Sequence, residues 1–120
     1  MALTAEMVTI DCADPRALAG FWEKALDMRV AQDFGGEFVV LKGDGPLQLC
    51  LQKVGEPRVG KNRVHLDLLA HGDPHDEVDR LIGLGARAIE EHEIPGYAWT
   101  VLADPDGNEF CVGAPQAQHD

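Results

Sequence analysis

The chain has 120 residues and a mass of 13.0 kDa, enough for one compact domain and its core. Apolar residues make up 45% and charged residues 26%, a globular balance that excludes disorder. With 21 acidic and 10 basic residues the formal charge is −11, which excludes a nucleic-acid binder and would attract a cationic small molecule.

No apolar run approaches the ~20 residues of a membrane span. The stretch from Met1 to Met7 lacks the basic region and apolar core of a signal peptide. Three cysteines without CxxC spacing fit a reducing compartment, so the expected location is the cytoplasm.

The first strand is expected at Met7 to Cys12. Asp14-Pro15 then supplies an N-cap followed by proline at the first helical position. Leu18, Phe21, Trp22 and Ala25 follow at i, i+3, i+4, i+7, one face of an amphipathic helix. A weaker strand spans Arg29 to Asp33. Phe38 to Leu41, the Gly43-Asp44-Gly45 turn and Leu47 to Leu51 complete a hairpin. Val54 to Asn62 has glycine, proline and charge without periodicity, and reads as a linker.

The grammar then repeats. Val64 to Leu69 is a strand, Asp73-Pro74 caps a helix, and Val78, Leu81, Ile82 and Gly85 form its apolar face. Arg87 to Glu91 is a weaker strand. Trp99 to Leu102, the Asp104-Pro105-Asp106-Gly107 turn and Asn108 to Val112 form the second hairpin. Ala114 to Asp120 is a polar tail. Asp14 and Asp73 lie 59 residues apart, Leu18 and Val78 60, and Cys50 and Cys111 61. Three features at one spacing predict a duplicated βαβββ unit, with modules at 5–53 and 63–113 of a single domain, 1–120. The fold class is α+β.

Strand alternation sorts the side chains. The strongest hydrophobes should face each helix: Val8, Ile10 and Cys12; Leu47, Leu49 and Leu51; Val64, Leu66 and Leu68; Phe110 and Val112. The opposite face then collects Met7, Thr9, Asp11, Gln48, Cys50, His65, Asp67, Glu109 and Cys111. Imidazole, carboxylates and thiols in that mixture suit a concave pocket for a polar ligand.

The paired units, VTIDCADP followed by FWEKAL, the VHLDL strand and the closing DPDGNEFCV resemble the vicinal oxygen chelate superfamily, over about residues 5 to 113. That superfamily includes glyoxalase I, extradiol dioxygenases and bleomycin-resistance proteins. The chain looks most like its short bacterial glyoxalase-like domains. The resemblance implies two curved four-stranded sheets forming an open cup, and a homodimer. It also implies four metal-ligand positions, which fall here on Met7, Gln48, His65 and Glu109.

His65 and Glu109 agree with the family pattern. Gln48 offers a neutral amide oxygen where a glutamate is common. Met7 departs from the pattern, because a thioether is a poor ligand for the ions this superfamily uses. One imidazole and one carboxylate do not make the 2-His-1-carboxylate triad of an extradiol dioxygenase.

His65 reads either as a ligand or base, or as a pocket residue held by Asp67 or Glu109. Glu109 reads as a general base, an anchor for a cation, or a hydrated carboxylate. Cys50 and Cys111 read as small hydrophobes, although a soft site with His65 is conceivable. Tyr97 and Trp99 present rings for stacking on a planar or cationic ligand, or pack in the ordinary way. His71, His75, His92 and His119 are read as surface residues in loops, helix ends and tail.

Two functions follow from the resemblance. The first is a metal-independent, resistance-type protein that binds an organic ligand on Met7, Thr9, Asp11, Gln48, Cys50, Asp67, Tyr97, Trp99 and Cys111. The alternative is a lyase or isomerase in which His65 and Glu109, helped by Gln48, hold one divalent metal ion. Neither reading involves nucleic acid or membrane.

Overall fold

The computed structural model describes residues 2–115. In chain order the elements are β1 (Met7–Cys12), α1 (Pro15–Leu26), β2 (Arg29–Phe34), β3 (Phe38–Lys42), β4 (Gln48–Lys53), β5 (Leu66–Leu69), α2 (Pro74–Gly83), β6 (Arg87–Ile94), β7 (Tyr97–Ala103) and β8 (Glu109–Pro115). The two halves are two compact units that divide between Pro57 and Arg58.

Each unit is one βαβββ module. The first sheet has the order β1-β4-β3-β2 and the second β5-β8-β7-β6. In both, the outer strand pairs parallel with the fourth and the other pairs are antiparallel. Even the irregularities repeat: the second strand of each module breaks register once, between Val30 and Gln32 and between Ala88 and Glu90. The expected duplication and α+β class are present.

Both helices start as the sequence dictates. The Asp14 carboxylate accepts a hydrogen bond from the Ala17 N–H at 3.3 Å, and Asp73 accepts one from the His75 N–H at 2.8 Å. Leu18, Phe21, Trp22 and Ala25 are buried where α1 packs on β3 and β4, with Phe21 and Trp22 meeting edge to face at 5.0 Å. On α2, Leu81 is buried, but Ile82 stays 43% exposed. Gly85 is not part of that face. It lies beyond the helix at φ +120°, a conformation that glycine adopts freely and that turns the chain toward β6.

The phase expected from alternation is the phase observed. In the second sheet Leu66 pairs with Phe110, and Thr100 and Leu102 pair with Val112 and Phe110, forming the helix-side layer. Leu102 and Phe110 are 0% and 1% exposed. In the first sheet Leu49, Leu51, Val39 and Leu41 form the matching buried layer.

Several boundaries differ from expectation. Val64 is 81% exposed and outside the ladder, since β5 begins at Leu66. The cause is local: the Asn62 side chain, rather than strand backbone, bonds the Glu109 N–H (3.1 Å) and the Asn108 side chain (3.1 Å). Leu47 likewise precedes β4 and is exposed. Ala114 and Pro115 of the expected tail extend β8, while 116–120, with His119, lie outside the described residues.

Phe110 fills the layer between β8 and α2, so Phe110→Ala should lower stability by about 3–5 kcal/mol, measured as the shift of a urea unfolding midpoint at constant slope.

Candidate functional site

The helix-free face of the first sheet is built in rungs. Met7 lies across from Gln48, Thr9 across from Cys50, and Asp11 across from Gln52. Met7, Thr9 and Asp11 are exposed, Gln48 is half-buried and Cys50 is buried.

The corresponding face of the second sheet carries the ionisable groups. Asp67 lies across from Cys111, and the same register carried one residue before β5 sets His65 beside Glu109. The His65 Nδ1 is 3.8 Å from Asp67 Oδ1 and 4.0 Å from Cys111 Sγ. Glu109 is half-buried at the start of β8, with its N–H held by Asn62.

Burial pushes the Cys111 thiol up, and the neighbouring charge of Asp67, its hydrogen bond and then Glu109 push it further. The thiol titrates at about 11 instead of 9.0, with Lys61 opposing weakly. Cys111 is therefore protonated and poorly nucleophilic at neutral pH.

The rings sit farther along the same face. Tyr97 and Trp99 alternate on β7 with centroids 6.2 Å apart. Trp99 pairs with His92 of β6, and the two rings stack at 5.1 Å and 21°. The His92 Nε2 is 3.2 Å from a Glu90 carboxylate oxygen. His92 is thus not a loop histidine. The Pro95-Gly96 turn, with Gly96 at φ +85°, joins Ile94 to Tyr97 directly and lengthens both strands past the expected limits. That dipeptide was the available signal for placing His92 opposite Trp99.

Gly113 explains where Tyr97 lies. A Cβ at position 113 would sit 2.3 Å from the Tyr97 hydroxyl and 2.7–2.8 Å from ring carbons, so the ring rests on bare backbone. His92, Asn62 and Gly113 are the site residues the sequence reading missed.

His92 and Trp99 also line a groove of about 340 Å³ beside the first turn of α2. Pro74, His75, Glu91, Glu93, Ala98 and Thr100 complete it. Of the residues expected to bind ligand, Trp99 lines this groove. His65, Asp67, Glu109 and Cys111 belong to the helix-free face of the same sheet, and Met7, Thr9, Asp11, Gln48 and Cys50 to the first unit.

Residues 7–113 match the family model of the glyoxalase-like domain. The chain belongs to that family. Its fold is that of the vicinal oxygen chelate superfamily. A lactoylglutathione lyase from Agrobacterium tumefaciens has 18% identity and a TM-score of 0.72, over 95% of this chain and 94% of that one. A glyoxalase/bleomycin resistance protein/dioxygenase family enzyme from Burkholderia phytofirmans PsJN has 19% identity and a TM-score of 0.74, over 92% and 98%. The antibiotic binding protein TnmS3 from Streptomyces sp. CB03234 has 18% identity and a TM-score of 0.74, over 97% and 99%. Among curated proteins, none matches the chain in sequence. At these identities the structural likeness speaks for the fold alone.

Glyoxalase-like proteins often use a divalent ion. Of the positions the resemblance points to, the second unit's offer an imidazole and a carboxylate, His65 and Glu109, and the first unit's an amide oxygen and a thioether, Gln48 and Met7. The exposed Met7 thioether is a soft donor, and Gln48 brings no charge, so the first unit's pair fits such an ion poorly. Among the described residues, no helix is long and apolar enough to cross a membrane.

Two outcomes follow. Gly113→Ala should force the Tyr97 ring off β8. The ring resonances of this single tyrosine would shift and lose their contacts to residue 113, with the fold retained. In metal-free buffer, the folded chain keeps the Cys111 proton where the unfolded chain loses it. Its share of stability should therefore fall as pH rises from about 9 to about 11. Unfolding of Cys111→Ala across that window should lack this component.

Proposed function

We propose that this glyoxalase-like domain binds a small, planar, cationic organic molecule, and that it does so without a metal ion. The observation that carries the reading is the groove of about 340 Å³ beside α2, to which Glu91, Glu93, Ala98 and Thr100 contribute from the helix side of the β6–β7 ladder, with Trp99 and His92 bordering it from the strand positions between them. Its volume lies in the range of small-molecule sites, roughly 300–1,000 Å³. The two adjacent carboxylates favour positive charge, and the apolar and aromatic edge that Ala98 and Trp99 bring to the groove suits a planar molecule. The net charge of −11 acts in the same direction at longer range. The fold shared with an antibiotic binding protein is consistent with a binding role, and a resistance-type protein that sequesters its ligand is the form we favour.

The second reading is a lyase or isomerase with Glu109 as the base and His65 as its partner. It is supported by the register that sets those two side by side and by the fold shared with a lactoylglutathione lyase. Met7 weighs against it, because metal-assisted chemistry of that type needs donors the first strand does not supply.

Titration with an N-alkylacridinium dye, followed by Trp99 fluorescence and by calorimetry, tests the first reading. Saturable binding should weaken with added salt, weaken about tenfold or more in the double variant Glu91→Gln/Glu93→Gln, and be weaker still for a neutral acridine of the same shape. Equal binding by the double variant, or no saturable binding of any planar cation, would sink the reading.

A further inference from the structure

The geometry points to a transition-metal site on the second module alone, made by His65, Asp67 and Cys111, taking an ion of the zinc class. It is separate from the ligand groove, it shares only His65 with the four family positions, and it stands whether or not an organic ligand binds.

The donor atoms converge. His65 Nδ1, an Asp67 carboxylate oxygen and Cys111 Sγ all lie within 4.8 Å of one another. A tetrahedral zinc ion, at about 2.3 Å from sulfur and about 2.0–2.2 Å from nitrogen or oxygen, spaces its donors about 3.3–3.6 Å apart. The set therefore needs to contract by about 1 Å, which side-chain rotation supplies. The Asp67 side chain is 75% exposed and His65 35% exposed, so both are free to turn inward, while Cys111 is fixed in the sheet.

The backbone holds this arrangement. Asp67 and Cys111 face each other across the parallel β5–β8 pair, and His65 stands two residues before Asp67 on the same side. Three protein donors and an outer side open to water match the common pattern of three ligands plus an exchangeable fourth position. A thiolate with an imidazole selects zinc, cobalt or nickel over magnesium or calcium. Binding forms one metal–sulfur bond and releases the thiol proton to solvent.

The first module is an internal control. Its equivalent rung holds Thr9 and Cys50, and Met7 stands where His65 would. The thiol is kept, but neither the imidazole nor the carboxylate is present.

The test is anaerobic titration of the tag-free chain with Co(II), read by the thiolate-to-cobalt charge-transfer band and the tetrahedral d–d bands, then displacement by Zn(II). One equivalent should give both features. Cys111→Ser should abolish the charge-transfer band. Asp67→Asn and His65→Gln, both at exposed positions that leave the core untouched, should weaken binding beyond the about 10–100-fold typical of outer-shell changes. Cys50→Ser and Gln48→Ala should leave the spectrum unchanged. Zn(II) should also protect Cys111, and not Cys50, from alkylation as read by peptide mass spectrometry. Absence of the charge-transfer band in the parent chain overturns the assignment. So does a band that survives Cys111→Ser, or binding lost in Gln48→Ala but kept in Asp67→Asn.

Discussion

The register of β8 is the constraint on which the second module depends. This strand pairs parallel with β5 on one side and antiparallel with β7 on the other, so its alternation is imposed on both neighbours. Phe110 and Val112 go to the helix side, and Glu109, Cys111 and Gly113 go to the other. A slip of one residue would bury carboxylates against α2 and expose the phenyl ring. Two polar devices prevent that slip at the strand's entry. The buried Asp104 carboxylate accepts hydrogen bonds from the N–H groups of Asp106 and Asn108, both at 2.9 Å. Asn62 clasps Asn108 and Glu109 from the incoming side. The Asp-Pro-Asp-Gly-Asn segment is therefore a register lock whose consequence is felt along the whole strand.

The two modules show what such a scaffold fixes and what it leaves free. The helix-side layer is apolar in both, because burying it is what holds helix to sheet. The other layer carries no such obligation, and there the halves have diverged. Met7, Thr9, Asp11 and Gln48 bring a thioether, a hydroxyl, one carboxylate and an amide, while His65, Asp67 and Glu109 bring an imidazole and two carboxylates. The cysteines alone stay equal, at Cys50 and Cys111. Chemistry thus concentrates in the second half even though the folding rules of the halves are identical.

Much of this was legible in the sequence. Asp-Pro caps, helical periodicity and Asp-Gly turns gave the order of elements, and alternation put Leu49, Leu51, Phe110 and Val112 on the buried, helix-side face. The glyoxalase-like resemblance named the fold from the same residues. What escaped has physical reasons. The run from Arg87 to Ile94 is exposed throughout and half of it is charged, so it has no hydrophobic period to betray its length. The edge strand it forms is held by its backbone ladder to β7 and by the Pro95-Gly96 turn. Its Glu90, Glu91 and Glu93 also discourage pairing with another sheet edge. His92 was misplaced for that reason. Gly113 escaped because its role is an absence: the tyrosine that needs its missing side chain lies sixteen positions earlier. The side chain of Asn62 acts across 46 and 47 residues, a distance no local pattern spans.

The same edge explains how an acidic protein can present an acidic groove without destabilising itself. Glu91 and Glu93 are neighbours of like charge on an exposed strand, where water screens them and their mutual repulsion is small. They become strongly felt only when something displaces that water. A planar cation seated in the groove would do so while supplying the opposite charge, and the desolvation would strengthen its attraction to the carboxylates. A neutral or anionic molecule would expel the same water and leave the charges uncompensated, at a cost that stacking on one indole does not recover. Selectivity for cations then follows from the groove's charge rather than from its shape.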